Sequence, residues 1–168
     1  MNLLDLSLNY RTDKGTLHSY LEVYSYLFRG FRNINLLEIG TFRGESLLLW
    51  SEYFPNSQIY GIDIVQYVSI NTDKIHTIIG DSTKPEILNH FSIKFDIIID
   101  DGSHILKDQL STLKNFYPLL NPGGLYIVED IFNLEKVKHH FTKFNKCTII
   151  DRRSITNEGT DVLIIYIK

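Results

Sequence analysis

Short apolar runs alternate with longer amphipathic stretches along this chain. Five runs, Asn35–Ile39, Gln58–Asp63, Ile75–Ile79, Phe95–Asp100 and Gly124–Glu129, are nearly continuous in Leu, Ile and Val and end at or beside a glycine or an acid. That pattern predicts parallel strands covered on both faces. Between them, Glu45–Phe54 sets Leu47, Trp50 and Phe54 at helical spacing, and Ile105–Leu120 sets Leu106, Leu110, Leu113, Tyr117 and Leu120 along one stripe. Asn121-Pro122-Gly123-Gly124 is expected to stop that helix and turn the chain into the next strand. Further helices are predicted over Thr16–Phe28, Lys84–His90 and Asn133–Phe144. The last two apolar runs, Cys147–Asp151 and Asp161–Ile167, are joined only by polar Arg152–Thr160, which predicts an antiparallel hairpin. The sum is an α/β fold: a doubly wound, mostly parallel seven-stranded sheet with an antiparallel last strand.

Composition narrows this picture. A length of 168 residues, 43% hydrophobic, suits one core and hence one domain over residues 1–168. A net charge of −3 argues against a nucleic-acid binder, which would carry a basic stripe. Cys147 is the single cysteine, so neither an internal disulfide nor a Cys-rich zinc site is expected. No apolar run approaches the roughly 18 residues of a membrane span. The opening MNLLDLSLNYR has no basic leader and is interrupted by Asp5, so a cytoplasmic protein is expected.

In doubly wound sheets ligands bind at the carboxyl ends of the strands. After the first strand stands Glu38-x-Gly40-Thr41-Phe42-Arg43-Gly44, a glycine-flanked turn into a helix. It lacks the G-x-G-x-x-G of nicotinamide proteins, and Glu38 suits a cationic group better than a pyrophosphate. Its alternative is a strand–helix turn with a buried, hydrogen-bonded Glu. Asp63, about 20 residues beyond Gly44, can accept from ribose hydroxyls or cap a helix. Gly80-Asp81-Ser82 follows the third strand: Asp81 can accept from an adenine amine, or Asp81 or Ser82 can cap the following helix. Asp100-Asp101-Gly102-Ser103-His104 and Glu129-Asp130 follow the fourth and fifth strands. Four carboxylates and an imidazole thus converge on one sheet edge. Without a counterion they repel, and a divalent cation held by Asp101, Glu129 and Asp130 would relieve them. Oxygen ligands favour Mg²⁺, Mn²⁺ or Ca²⁺ over Zn²⁺. The alternative is Asp101 as a helix cap with Glu129 and Asp130 facing water. His104 beside this group suits a general base, whereas His139 and His140 read as solvated.

These residues carry a resemblance. Glu38-x-Gly40-x-x-x-Gly44, Asp63 and Gly80-Asp81 resemble the class I S-adenosylmethionine-dependent methyltransferases, whose fold is Rossmann-like. Asp100-Asp101-Gly102-Ser103-His104 with Val128-Glu129-Asp130 resembles the metal-dependent macrolide and rhamnosyl sugar O-methyltransferases of the mycinamicin and macrocin type. Thr12-Asp13-Lys14-Gly15, with His18 and Tyr20, resembles that family's segment ahead of the core. The resemblance implies Mg²⁺, with Mn²⁺ as an alternative, on Asp101, Glu129 and Asp130, and His104 as base. It implies S-adenosylmethionine bound by Thr12, Glu38, Gly40, Thr41, Phe42, Arg43, Gly44, Asp63, Gly80, Asp81, Ser82 and Asp100. Residues 1–30 would form a helical lid on the 31–168 core. The macrolide enzymes carry a large further N-terminal domain, whereas about ten residues precede Thr12 here. The implied acceptor is a sugar, a glycosylated small molecule or a glycan with vicinal hydroxyls, lined by the N-terminal segment, Val65–Asp73 and Arg152–Thr160. A homo-oligomer is compatible with the resemblance. A catechol-like diol methyltransferase, a non-catalytic S-adenosylmethionine-binding module and a nicotinamide oxidoreductase are the competing readings.

Overall fold

A computed structural model describes residues 2–65, 67, 69–156 and 158–168. Its order is α1 (Leu3–Ser7), α2 (Asp13–Thr16), α3 (Tyr20–Leu27), β1 (Asn35–Ile39), α4 (Glu45–Tyr53), β2 (Gln58–Asp63) and β3 (Ile75–Ile79). A 3₁₀ turn (Pro85–His90), β4 (Phe95–Asp100), α5 (Leu106–Phe116), β5 (Leu120–Val128) and α6 (Leu134–Phe144) follow, then β6 (Thr148–Asp151), α7 (Arg153–Thr156) and β7 (Val162–Ile167). The seven strands form one sheet in the order β3-β2-β1-β4-β5-β7-β6. β1 to β5 pair in parallel, while β7 runs antiparallel to both β5 and β6. The expected doubly wound sheet with its reversed last strand is present.

Side chains alternate between two apolar layers. Leu36, Ile97, Ile99 and Ile127 pack on one face with α1, α3 and α4, where Tyr24, Phe28 and Trp50 meet ring to ring. Leu37, Ile98, Tyr126 and Ile164 pack on the other face with Leu113 and Phe116 of α5 and Phe141 of α6. Burial on both faces explains why the central strands read as continuous apolar runs.

Five features differ from the sequence pattern. The stripe expected to be helical to Leu120 ends at Phe116 and passes into a 3₁₀ turn around Pro118, whose ring lacks an N–H donor. Leu120 already pairs with Phe95, and the register then slips so that Ile97 faces Leu125. Asn121–Gly124 is therefore a bulge within β5, with Gly123 at φ +79°, and not a helix stop. The helix expected over Thr16–Phe28 breaks into α2 and α3. Thr12 accepts from the Lys14 amide at the start of α2, and Ser19 precedes α3 with no side-chain cap. The helix expected over Lys84–His90 is a 3₁₀ turn, and the polar link Arg152–Thr160 contains α7.

Candidate functional site

The reversal of sheet order between β1 and β4 opens a crevice at the carboxyl ends of these strands, as doubly wound sheets require. The Gly40 amide donates to the Ile62 carbonyl and the Asp101 amide to the Ile39 carbonyl, so the loops after β1, β2 and β4 are laced together. Gly40 lies at φ +84°, and a Cβ there would stand 2.0 Å from the Asp101 carbonyl oxygen. Only glycine lets the two loops approach this closely.

A cavity of about 580 Å³ fills the crevice. Gly40, Phe42, Asp63, Gly80, Asp81, Ser82, Asp100, Asp101, His104 and Asp130 of the expected set all line it. Thr41 lines a smaller adjoining cavity that shares Asp63. Thr12, Glu38, Arg43, Gly44 and Glu129 are absent from the described lining of both. Gln66, Val68 and Asn157, within the stretches expected to line an acceptor pocket, lie outside the described residues.

Asp63 Oδ2 accepts from the Thr41 and Phe42 amides at 2.9 and 2.8 Å, and Oδ1 from the Val65 amide. These bonds fix the carboxylate at the crevice wall. Asp81 accepts from the Thr83 hydroxyl and amide, which hold its pKa below the usual carboxylate value. Asp81 thus caps the turn at Thr83 and also lines the cavity. Ser82 instead contacts the Thr112 hydroxyl. Burial pushes the Asp100 carboxyl up to about 8 despite bonds from the Gly102 amide and the Tyr126 hydroxyl.

At the other end, Asp101, His104 and Asp130 each bring a ligand atom within 4.8 Å of the others. His104 Nε2 stands 4.0 Å from Asp101 Oδ1 and 4.0 Å from Asp130 Oδ2, and its buried Nδ1 has no hydrogen-bond partner among the described residues. Glu129 points elsewhere. Both its oxygens accept from Lys14 Nζ at 2.9 Å, and Oε1 also accepts from the Tyr24 hydroxyl. Lys14 donates to Asp101 Oδ2 at 2.6 Å as well and lies 3.2 Å from Glu38 Oε1. Glu38 Oε2 accepts from the Trp50 indole at 3.1 Å. The cationic group that Glu38 faces is therefore this lysine. Burial disfavours the Lys14 charge, but the carboxylates of Asp101, Glu129 and Glu38 outweigh it and raise its pKa well above 10.5. Burial raises Asp101 and Glu129 in turn, with the ammonium opposing. Tyr20 donates to Asp130 Oδ1 at 2.6 Å, and His18 pairs with Asp161 while stacking on Tyr20.

Lys14, Tyr20 and Tyr24 were not expected at this centre. The only signal was the Thr12-Asp13-Lys14-Gly15 run with Tyr20 behind it. Convergent acids demand a cation, and a lysine distant in sequence meets part of that demand.

A profile of the methyltransferase domain matches residues 37–131. The chain belongs to the methyltransferase domain family. Mycinamicin VI 2''-O-methyltransferase of Micromonospora griseorubida is 38% identical to this methyltransferase domain in an alignment 144 positions long that covers 78% of this chain and 36% of that protein. Demethylmacrocin O-methyltransferase of Streptomyces fradiae is 35% identical over 144 residues, again 78% and 36%. The 8-demethyl-8-alpha-L-rhamnosyl tetracenomycin-C 2'-O-methyltransferase of Streptomyces olivaceus is 35% identical over 141 residues, 77% and 37%. The methyltransferase domain thus spans little more than a third of these relatives. Among solved structures, the MycE methyltransferase of the mycinamycin biosynthetic pathway, in complex with Mg and SAH, superposes with a TM-score of 0.72 at 38% identity, covering 77% of this chain and 39% of that one. A putative ribosomal RNA methyltransferase from Plasmodium falciparum, 18% identical, covers 93% of this chain and 95% of that one, and shares the fold with a TM-score of 0.66. The resemblance to macrolide and rhamnosyl sugar O-methyltransferases is borne out by these relatives. No described helix is long and apolar enough to cross a membrane.

Proposed function

We propose that this methyltransferase domain moves the methyl group of S-adenosylmethionine to a sugar hydroxyl of a glycosylated small molecule or glycan, with a hard divalent cation at the acceptor end. One observation carries the reading: a single cavity joins Asp63 and Asp81 to the Asp101–His104–Asp130 cluster. Its volume suits a ligand of nucleoside size. The acidic lining disfavours a nucleic-acid acceptor, whose phosphates would be repelled. The relatives are O-methyltransferases, one of them named for a rhamnosyl tetracenomycin, which supports the acceptor class, and the mycinamycin-pathway enzyme is also solved with Mg, SAH and Mycinamycin VI.

Asp63 would accept from ribose hydroxyls and Asp81 from the adenine amine, with Gly40, Phe42, Gly80, Ser82 and Asp100 completing the nucleoside wall. Thr41 lines the adjoining cavity that shares Asp63, whereas Thr12, Glu38, Arg43 and Gly44 stand outside the described lining of both. The donor set fits a hard cation: Asp101 and Asp130 each offer a carboxylate oxygen, within 4.8 Å of each other and of a His104 ring nitrogen. Asp101 and Asp130 would hold Mg²⁺ or Mn²⁺ directly, and Glu129, third of the expected set, lies behind them on Lys14. When bound, the cation makes a chelated hydroxyl more acidic, and the sulfonium supplies an activated methyl. His104 Nε2 takes the hydroxyl proton as the O–C bond forms and the S–C bond breaks. Lys14 and Tyr20 keep the Asp101 and Asp130 carboxylates in place through hydrogen bonds to their other oxygens.

Calorimetric titration of SAH and of NAD⁺, each with Mg²⁺, tests the reading. Selective binding of SAH is expected; NAD⁺ binding in its place would sink it.

A further inference from the structure

Asp161 is a fully buried carboxylate immediately ahead of β7. Its Oδ1 pairs with His18 Nδ1, from which it is 143 positions distant in sequence. Its Oδ2 is buried and has no hydrogen-bond partner among the described residues. An unpaired buried carboxylate oxygen is costly, and an apolar residue there would serve stability better. The use of the pair lies one ring away. His18 stacks on Tyr20, with ring centroids 5.1 Å apart and planes 5° from parallel. Tyr20 is fully buried, and its hydroxyl donates to Asp130 Oδ1 at 2.6 Å. Asp130 stands two residues past the end of β5, at φ +55°, beyond the strand ladder that would fix its direction. Its Oδ2 is left for the crevice, 4.0 Å from His104 Nε2. Three consecutive residues, His18, Ser19 and Tyr20, meet Asp161, Arg152 and the Thr160 carbonyl of the link between β6 and β7. None of Asp161, His18 and Tyr20 is in the described lining of the cavity.

We propose that Asp161 and His18 are positioning residues for the cation ligand Asp130, acting through Tyr20. A carboxylate accepts, so Nδ1 carries a proton toward Asp161 whatever the charge of the ring. That bond sets the plane of the imidazole, and the imidazole face sets the Tyr20 ring by stacking. The Tyr20 hydroxyl then occupies Asp130 Oδ1, which presents Oδ2 to the cation shared with Asp101. Groups behind the ligands orient them and tune the affinity of a metal site in this way. The C-terminal hairpin thereby sets the direction of a side chain at the end of β5 without touching the cation or the acceptor.

The inference rests on the cation reading above, and Mn²⁺ titration of the full chain, followed by electron paramagnetic resonance, separates the two. No bound Mn²⁺ in the wild type overturns the cation reading itself. With Mn²⁺ bound there, Asp161→Ala and Tyr20→Phe should each weaken it about tenfold and alter the spectrum of the bound ion. SAH affinity, measured by calorimetry, should stay unchanged in both. Asp161→Asn keeps an oxygen that accepts from His18 and should recover wild-type Mn²⁺ affinity. The double variant Asp161→Ala, Tyr20→Phe should bind no more weakly than the weaker single variant, because both breaks lie in one chain of contacts. Losses that add would mean separate structural damage and overturn the proposal, as would wild-type Mn²⁺ affinity in Asp161→Ala or an equal loss of SAH affinity. Should Asp161→Ala fail to fold, His18→Phe with Asp161→Asn keeps a ring against Tyr20 and removes both the buried charge and the bond. The same tenfold loss, again not additive with Tyr20→Phe, is expected of it, and wild-type affinity there overturns the proposal equally.

Discussion

His104 meets the acid cluster only through Nε2, at equal distances from Asp101 and Asp130. A base placed there contributes about 10²–10⁴-fold. His104→Ala should lose turnover on a sugar acceptor by that factor while SAH affinity, measured calorimetrically, stays unchanged; full activity would remove His104 from the mechanism. Gly40 carries a different demand. A methyl group there collides with the Asp101 carbonyl at a backbone angle that L residues avoid. Gly40→Ala should cost on the order of 2–3 kcal/mol in urea denaturation and abolish SAH binding together. Asp101, His104 and Asp130 were legible because strand ends announce themselves in sequence as apolar runs stopped by acids. Lys14 was not, because its partners are set by how the chain folds back and no local pattern encodes that distance.

At the level of elements, the five parallel strands follow from their apolar runs because both faces of the sheet are covered. The bulge in β5 escapes such reading: the Asn121–Gly124 composition of a turn serves inside a paired strand. The break between α2 and α3 is equally silent, although it places His18, Tyr20 and Tyr24 over the acids. His18 joins this segment to Asp161, just ahead of β7. Burial disfavours its charge, but the Asp161 bond and the Asp130, Asp161 and Asp13 charges prevail, so its pKa is raised above 6.5. The contact therefore stabilises fully below about pH 6.5 and weakens as pH rises through the raised value. With metal removed by EDTA, the urea midpoint of the wild type should fall over that interval, and His18→Gln should flatten the fall. Parallel profiles for the two proteins would show that His18 stays neutral.

For the whole molecule, charge is distributed unevenly. A net −3 is modest, yet Glu38, Asp100, Asp101, Glu129 and Asp130 crowd one end of one sheet against a single buried lysine. A cation that binds only the folded state must then raise stability by mass action. Mg²⁺ at a hundredfold excess over its Kd should add about 2.7 kcal/mol, seen as a higher thermal midpoint than in EDTA. Identical midpoints would count against any cation at Asp101 and Asp130.

Phe42, His104 and Asp130 all hold left-handed backbone angles, and all three line the cavity. Histidine and aspartate tolerate that region better than most residues; phenylalanine does not. Phe42 at φ +44° is thus a fault retained where the chain lines the cavity. Such a conformation costs on the order of 1–3 kcal/mol. Selection for robustness alone would erase it. Phe42→Gly should melt at a higher temperature than the parent and bind SAH more weakly, so that a library screened only for heat resistance would drift away from the function the fold supports.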